Sequence, residues 1–397
     1  MSASSSITLR QWLPLLGLVA AVFIFNTSEF IPVGLLLDIG HTYGITEAQT
    51  GIMISVYAWG VMILSMPLMV LSSRFGFKTL LLSVMGLLTA GQFLSAIAPT
   101  FPFLVASRLV TATAHAVFWS IASIIATRLV DPNHRSFALS LIAAGTSVAM
   151  ILGIPLGRTL GLSLGWRMTF GVVGIVSALV MAYLAVTTPK MKGVQAFSFR
   201  EVPRLMRNPV LLSIYGVTIF LTTGYYAAYS YIEPFMEEIA QFSPPLITKL
   251  LMVFGIAGMT GSLIFSKVYD KQRVGFTLSA LSGIAVSLLL MRVSTFSPIA
   301  VFGVIVLWGM SSTAFSIALQ SELIRYTTPS ESAVAMSIYS GLYNFGIGTG
   351  AAIGGLVTTH FSLGDVGYFG GVLAAVGVAL AASCLSHALH SCETPAS

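Results

Sequence analysis

The chain has 397 residues, 56% of them hydrophobic and only 8% charged, with a net charge of +6. A soluble domain carries roughly 25% charged residues, so the composition excludes a soluble fold and points to an all-α integral membrane protein. The two cysteines, Cys384 and Cys392, have no metal-ligand spacing and make no disulfide framework.

A helix needs about 20 apolar residues to cross a bilayer. Apolar runs broken by Pro, Gly or charge cover 12–37, 49–71, 79–98, 103–130, 136–160, 166–187, 209–232, 247–268, 274–293, 298–324, 332–358 and 366–388. They predict twelve transmembrane helices. The first run is too long for the apolar stretch of a cleavable signal peptide, and no small-residue cleavage site closes it, so it is expected to remain the first helix.

Ionisable groups inside a membrane are costly and by default mark pathways. The first run reads "FNTSEFIPVG" over 25–34 and holds Asn26 and Glu29, which share one helical face at i, i+3. Glu29 is read as the one deep acid of the chain. It is either a proton or substrate site, or half of a fixed ion pair that locks helices. Tyr57 and Trp59 in the second run are weaker candidates, because single aromatic residues in helices more often serve packing.

The fourth run contains "SRLVTATAHAVFW". Arg108, Thr111, His115 and Trp119 fall at i, i+3, i+7 and i+11, a single helical stripe. Histidine titrates within reach of physiological pH. Arginine stays charged and is the obvious counter-ion for Glu29. The bland alternative is that Arg108 caps a bundle contact and His115 donates a hydrogen bond.

After the sixth run, "TTPKMKGVQAFSFREVPRLMRNP" (187–209) is the longest polar segment. It divides the chain into an N-terminal six-helix bundle (1–187), a cytoplasmic linker (188–208) and a C-terminal six-helix bundle (209–397). Weak internal matches agree with two tandem halves. Ser136, Ile142 and Gly145 recur as Ser332, Ile338 and Gly341, and Arg74 aligns with Lys271.

The seventh run ends "TTGYYAAYSYIEP", placing Thr222, Tyr226, Tyr229 and Glu233 on one stripe. Tyrosine offers an apolar face and a hydrogen-bonding tip, which suits a polyol. An interfacial aromatic belt is the alternative for Tyr229 and Glu233. Thr313, Ser316 and Gln320 share a face of the tenth run. In the eleventh, Gly346, Gly350 and Gly354 form a small-residue packing stripe, and Asn344 is a polar candidate for substrate binding.

Lys and Arg set the orientation. With the N-terminus in the cytoplasm, fourteen of the nineteen fall on the cytoplasmic side. Both termini are therefore expected there, and the positive charge needs no nucleic acid. No Walker, HExxH or paired-Cys motif is present, so neither an ATPase, a metal site, a cofactor nor an enzyme is expected.

Several segments resemble the major facilitator superfamily. "SSRFGFK" (72–78) is similar to its loop after the second helix, keeping Arg74, Gly76 and Lys78 but carrying Ser73 in place of Asp. "SKVYDK" (266–271) resembles the second-half copy and retains Asp270. Arg108 matches the fourth-helix arginine, which the resemblance links to proton coupling. "GTSVAMILGIPLGR" (145–158) resembles the fifth-helix antiporter motif, with Gly145, Gly153, Pro155 and Gly157 in place. Together, "FIFNTSEFIPVGLL", "AHAVFWSI", "IPLGR…GWRMTF" and "YSYIEPF" resemble SotB-type sugar efflux transporters of the drug:proton antiporter group. The resemblance implies a monomeric exporter of sugars such as arabinose and thiogalactoside-like inducers in the bacterial inner membrane, driven by protons. A multidrug:proton antiporter of the same fold is the alternative. Glu29, His115 and Arg108 are then expected to couple protons. Asn26, Tyr57, Trp119, Thr222, Tyr226, Gln320 and Asn344 are expected to bind substrate.

Overall fold

The computed structural model describes residues 8–72, 75–131, 134–191 and 202–385. Among the described residues the regular elements are helical and none is a strand. They run α1 (Leu9–Phe30), α2 (Leu36–Tyr43), α3 (Glu47–Ser72), α4 (Phe77–Ala96), α5 (Phe101–Leu129), α6 (Arg135–Leu164), α7 (Trp166–Thr187), α8 (Val202–Leu205), α9 (Pro209–Tyr229), α10 (Ile232–Pro234), α11 (Pro244–Val268), α12 (Arg273–Leu290), α13 (Pro298–Arg325), α14 (Pro329–His360) and α15 (Val366–Leu380). Eleven of these are long and apolar enough to cross a membrane. The twelfth long helix, α14, is 32 residues long and mixes Gly, Ser, Thr, Tyr and Asn among its apolar residues. Each of the twelve long helices overlaps one apolar run, while the first run also reaches α2 and the seventh reaches α10.

Helix starts follow local chemistry. Asn208 accepts from the Val210 and Leu211 N–H groups ahead of Pro209 at the first position of α9. Glu331 reaches back to the Thr328 N–H at 3.0 Å, capping α14. The first run departs from expectation. It is not continuous to residue 37 but breaks into a 3₁₀ turn over Ile31–Gly34 before α2. Pro32 supplies no N–H to an α-helical ladder, so the regular bonding stops there although Ile31 before it keeps helical backbone.

Contacts group the chain into two compact units, Met1–Pro32 with Ile63–Phe197, and Val33–Met62 with Ser198–Ser397. Residues 33–62, expected within the N-terminal bundle, thus cluster with the second unit. In the first unit α1 packs on α6 and α7, and α4 packs on α5 and α7. A Cβ on Gly153 of α6 would lie 3.2 Å from the Thr27 Cα, and one on Gly157 would lie 2.6 Å from Ile31 Cγ1. The glycines of the 145–158 segment therefore let α6 seat the end of α1 that carries Asn26 and Glu29.

In the second unit α9 packs on α14 and α15, and α13 packs on α11 and α12. A Cβ on Gly350 would come within 2.5 Å of the Thr223 carbonyl oxygen, and one on Gly354 within 2.4 Å of that of Ala227. The small-residue stripe of α14 is what allows this close approach to α9.

Candidate functional site

Polar side chains collect in both units. In the first, the end of α1 meets α4 and α5. The carbonyl of Ser28 would ordinarily accept from the N–H four residues on, but that residue is Pro32, which has none. Arg108 of α5 takes the position, donating from Nη2 to the Ser28 oxygen at 2.9 Å and from Nη1 to its hydroxyl at 3.5 Å. Gln92 of α4 donates to the same hydroxyl. The guanidinium lies 5.8 Å from the centre of the Phe170 ring and is almost wholly buried. A fixed positive charge is thereby anchored one residue from Glu29.

Glu29 Oε2 stands 3.7 Å from Nε2 of His115, with their side chains 11% and 4% exposed. Phe25 presents its ring edge-on to His115 and stacks on Phe118 at 3.9 Å. Trp119, one turn along α5, donates its indole N–H to His115 Nε2 at 2.7 Å. Asn26 is buried, and its amide donates to the Val22 carbonyl at 2.9 Å. Asn26, Glu29, Arg108, His115 and Trp119 thus come together in one unit. Ser28 and Gln92 join them without having been singled out. The signal for Ser28 lay in the sequence, in a proline four residues downstream.

In the second unit Tyr225, Tyr226 and Tyr229 of α9 cluster with Trp308 of α13 and Phe254 of α11. The Tyr225–Trp308 and Tyr229–Phe254 ring centres lie 5.5 and 5.3 Å apart. Tyr226 is edge-on to Tyr343 of α14 at 6.1 Å, and Tyr343 stacks with Phe315 at 6.3 Å. Beside them Gln320 donates to the Ser316 hydroxyl at 3.0 Å. Asn344 donates to the Ser340 carbonyl at 3.0 Å, and its own Oδ1 is buried with no hydrogen-bond partner among the described residues. Tyr226, Gln320 and Asn344 belong to this aromatic and amide cluster.

Other candidates sit differently. Thr222 is fully buried, bonds the Thr218 carbonyl at 2.6 Å, and lies where a Cβ on Gly346 would have to go. It is a packing residue of the α9–α14 contact. Tyr57 is buried in the 33–62 segment, and Trp59 donates to Thr349 of α14 at 3.3 Å. Tyr229 and Glu233 form no exposed belt, since Tyr229 is 6% and Glu233 1% exposed. Nor does Glu233 continue the α9 stripe, because that helix stops at Tyr229. Its carboxylate instead accepts the first N–H groups of α2, from Leu36 at 2.8 Å and Leu37 at 3.3 Å.

Glu29 is therefore not the only deep acid. Glu322 of α13 is fully buried and accepts from the Tyr269 hydroxyl at 2.5 Å and from Arg273 Nε at 2.9 Å and Nη2 at 2.5 Å. Burial, and the bond to this carboxylate, push the Tyr269 hydroxyl above its ordinary value. Of the loop residues, Gly76 begins α4, where the Phe77 N–H donates to the Met191 carbonyl at 3.1 Å. Arg74 and the side chain of Asp270 lie outside the described residues. Gly145 packs on Val19 of α1, and Pro155 lies inside α6. Among the described residues no cluster of His, Cys, Asp or Glu could hold a metal ion.

Comparison with known proteins gives these arrangements a context. The family model described as "Major Facilitator Superfamily" matches residues 17–325. A protein of Mannheimia succiniciproducens named "Probable sugar efflux transporter" is 39% identical over 359 residues, covering 90% of each chain. Among solved structures, a bacterial homologue of the human lysosomal transporter Spinster, in its inward-facing and unoccupied conformation, is similar with a TM-score of 0.82. It is 16% identical and covers 98% of this chain and 100% of that one. The human organic anion transporter MFSD10 is similar with a TM-score of 0.69 at 16% identity, covering 94% and 98%. With its helical fold, its spans and these relatives, the chain belongs to the major facilitator superfamily and is a multi-pass membrane transporter, not an enzyme.

Proposed function

We propose that this transporter is a proton-coupled antiporter that exports sugars, such as arabinose and thiogalactoside-like compounds, across a bacterial inner membrane. In this reading the protein works as a monomer with both termini cytoplasmic, and residues 1–187 and 209–397 act as two bundles joined by the 188–208 linker. The sugar assignment is supported by the name of the 39% identical relative. The coupling assignment is carried by one observation, a carboxylate facing a titratable base at 3.7 Å beside an anchored arginine.

A proton taken up by Glu29 or His115 changes the net charge of a group that includes the permanently positive Arg108. Because the two sites face each other, their titrations are shared and belong to the pair. Sugar and proton must favour different states of the transporter, since a ligand with equal affinity for both shifts nothing. Within the second unit, the Tyr226 ring offers a face for sugar C–H groups and Asn344 Oδ1 offers an acceptor for a hydroxyl. The dense Tyr225–Tyr229–Trp308–Phe254 cluster favours a second reading, export of amphipathic drugs with the same proton coupling.

The test is transport by the full chain in proteoliposomes with an imposed pH gradient. It uses labelled arabinose or a thiogalactoside, with lipophilic cations as competitors. Gradient-driven sugar movement is expected in the wild type and should be lost in Glu29→Gln and His115→Ala. Full coupling in both variants would remove the site assignment, and competition by cations without sugar transport would favour the drug reading.

A further inference from the structure

We propose that Trp119 is the positioning residue that makes sugar and proton mutually exclusive. It does so by occupying the one lone pair of His115 that a coupling proton would take. This inference rests on the reading of the chain as a proton-coupled sugar exporter.

The argument is one of valence. An indole N–H only donates, and a neutral imidazole has one donor and one acceptor nitrogen. Since Trp119 donates to Nε2 at 2.7 Å, Nε2 presents its lone pair and the ring proton resides on Nδ1. Nε2 is also the atom that faces Glu29 at 3.7 Å. Protonation there would put an N–H within reach of the carboxylate 3.7 Å away, and the same N–H would oppose the indole N–H. The histidine can therefore hold Trp119 or a proton at Nε2, but not both. The charged groups near it are Glu29 of α1 and Arg108 of its own helix, both in electrostatic reach of this site. The rings of Phe25 and Trp119 also adjoin it.

Release of the lone pair needs no backbone change. His115 and Trp119 are i, i+4 neighbours on one helix, so rotation of the tryptophan side chain is enough. Whereas His115 is buried, Trp119 is only partly so, and its ring meets Phe118 edge-on at 5.6 Å. A sugar whose C–H face rests on the open part of the indole pins it against His115 and keeps Nε2 unprotonated. When the sugar leaves, the indole is free to swing, and Nε2 takes the proton and pairs with Glu29. Such exclusion is reciprocal by linkage, so proton uptake weakens sugar binding by the same factor. That is the relation an antiporter requires.

Two measurements on the full chain test it. The first is ¹⁵N NMR of histidine-labelled protein above neutral pH, with the His115 signal identified by its absence in His115→Gln. The expected signature is an Nδ1–H imidazole in the wild type, and an Nε2–H tautomer would overturn the proposal. The second compares wild type with Trp119→Phe, which keeps an aromatic ring and removes the donor. The readout is the ratio of gradient-driven sugar transport to sugar counterflow at equal pH. Lost binding or damaged packing lowers both terms together, but loss of exclusion lowers the ratio, here by tenfold or more. An unchanged ratio would overturn the proposal while leaving the exporter reading intact. Failure of the wild type itself to couple sugar to protons would overturn that reading instead. If Trp119→Phe does not fold, the NMR result alone decides.

Discussion

Glu29 and Glu322 are both acids within helices of a membrane protein, and their surroundings differ in kind. Glu322 is enclosed by a guanidinium fork and a phenol, with contacts of 2.5 to 2.9 Å and no exposure. Glu29 faces a titratable imidazole at 3.7 Å, keeps 11% of its side chain exposed, and has its nearby arginine engaged with Ser28 instead. A carboxylate bound by a permanent cation at short range is fixed in one charge state. One placed opposite a base that can gain or lose a proton can change state without unmaking a tight pair. Burial alone thus does not mark a switch, and the partner decides.

The largest effect expected from breaking this contrast is at Glu322. Removing one member of a buried ion pair costs about 3–5 kcal/mol, because the other charge is left uncompensated. Glu322→Ala should therefore lower the thermal stability of detergent-solubilised protein sharply. The double variant Glu322→Leu, Arg273→Met should recover most of the loss. Next comes Gly350→Ala, which puts a methyl 2.5 Å from the Thr223 carbonyl and should cost about 1–3 kcal/mol by overpacking. Its melting temperature against that of Gly341→Ala, which meets nothing within 4 Å, isolates the close contact.

Glu29→Gln should change stability by about 1 kcal/mol or less, since no tight bond to the acid is lost, while abolishing gradient-driven transport. The smallest effect is expected at Glu238, outside the spans. Burial, and then the neighbouring Glu47 and Glu237 carboxylates, raise its carboxyl above the ordinary value against the opposing pull of His41. The folded state then binds more protons than the unfolded one, so this group's contribution falls as pH rises above the usual carboxylate range. Glu238→Gln should remove that slope, leaving stability within about 0.5 kcal/mol of wild type, as melts at pH 5 and 8 would record.

The same contrast separates what could be read from the chain from what could not. Apolar runs located the long helices, because length and hydropathy suffice for a membrane span. The Arg108–Trp119 stripe was legible since all its members lie on one helix with a fixed period. The Glu322–Arg273–Tyr269 arrangement was not, because it joins residues about 50 positions apart whose meeting depends on how α11, α12 and α13 pack. Thr222 shared the stripe of Tyr226, yet periodicity does not say which part of a face is covered, and there Gly346 admits a neighbouring helix. Glu233 was misplaced because the helical period was carried past the end of α9. The break after Phe30 could have been drawn from Pro32, which also explains why Ser28 offers its carbonyl to Arg108.

The central claim is that sugar binding and protonation of the Glu29–His115 pair oppose each other. Proton release on addition of sugar to purified, weakly buffered transporter measures this directly. The account predicts that wild type releases protons on saturation and that Glu29→Gln combined with His115→Gln releases none. Equal release from that double variant, or none from the wild type while sugar still binds, would contradict it.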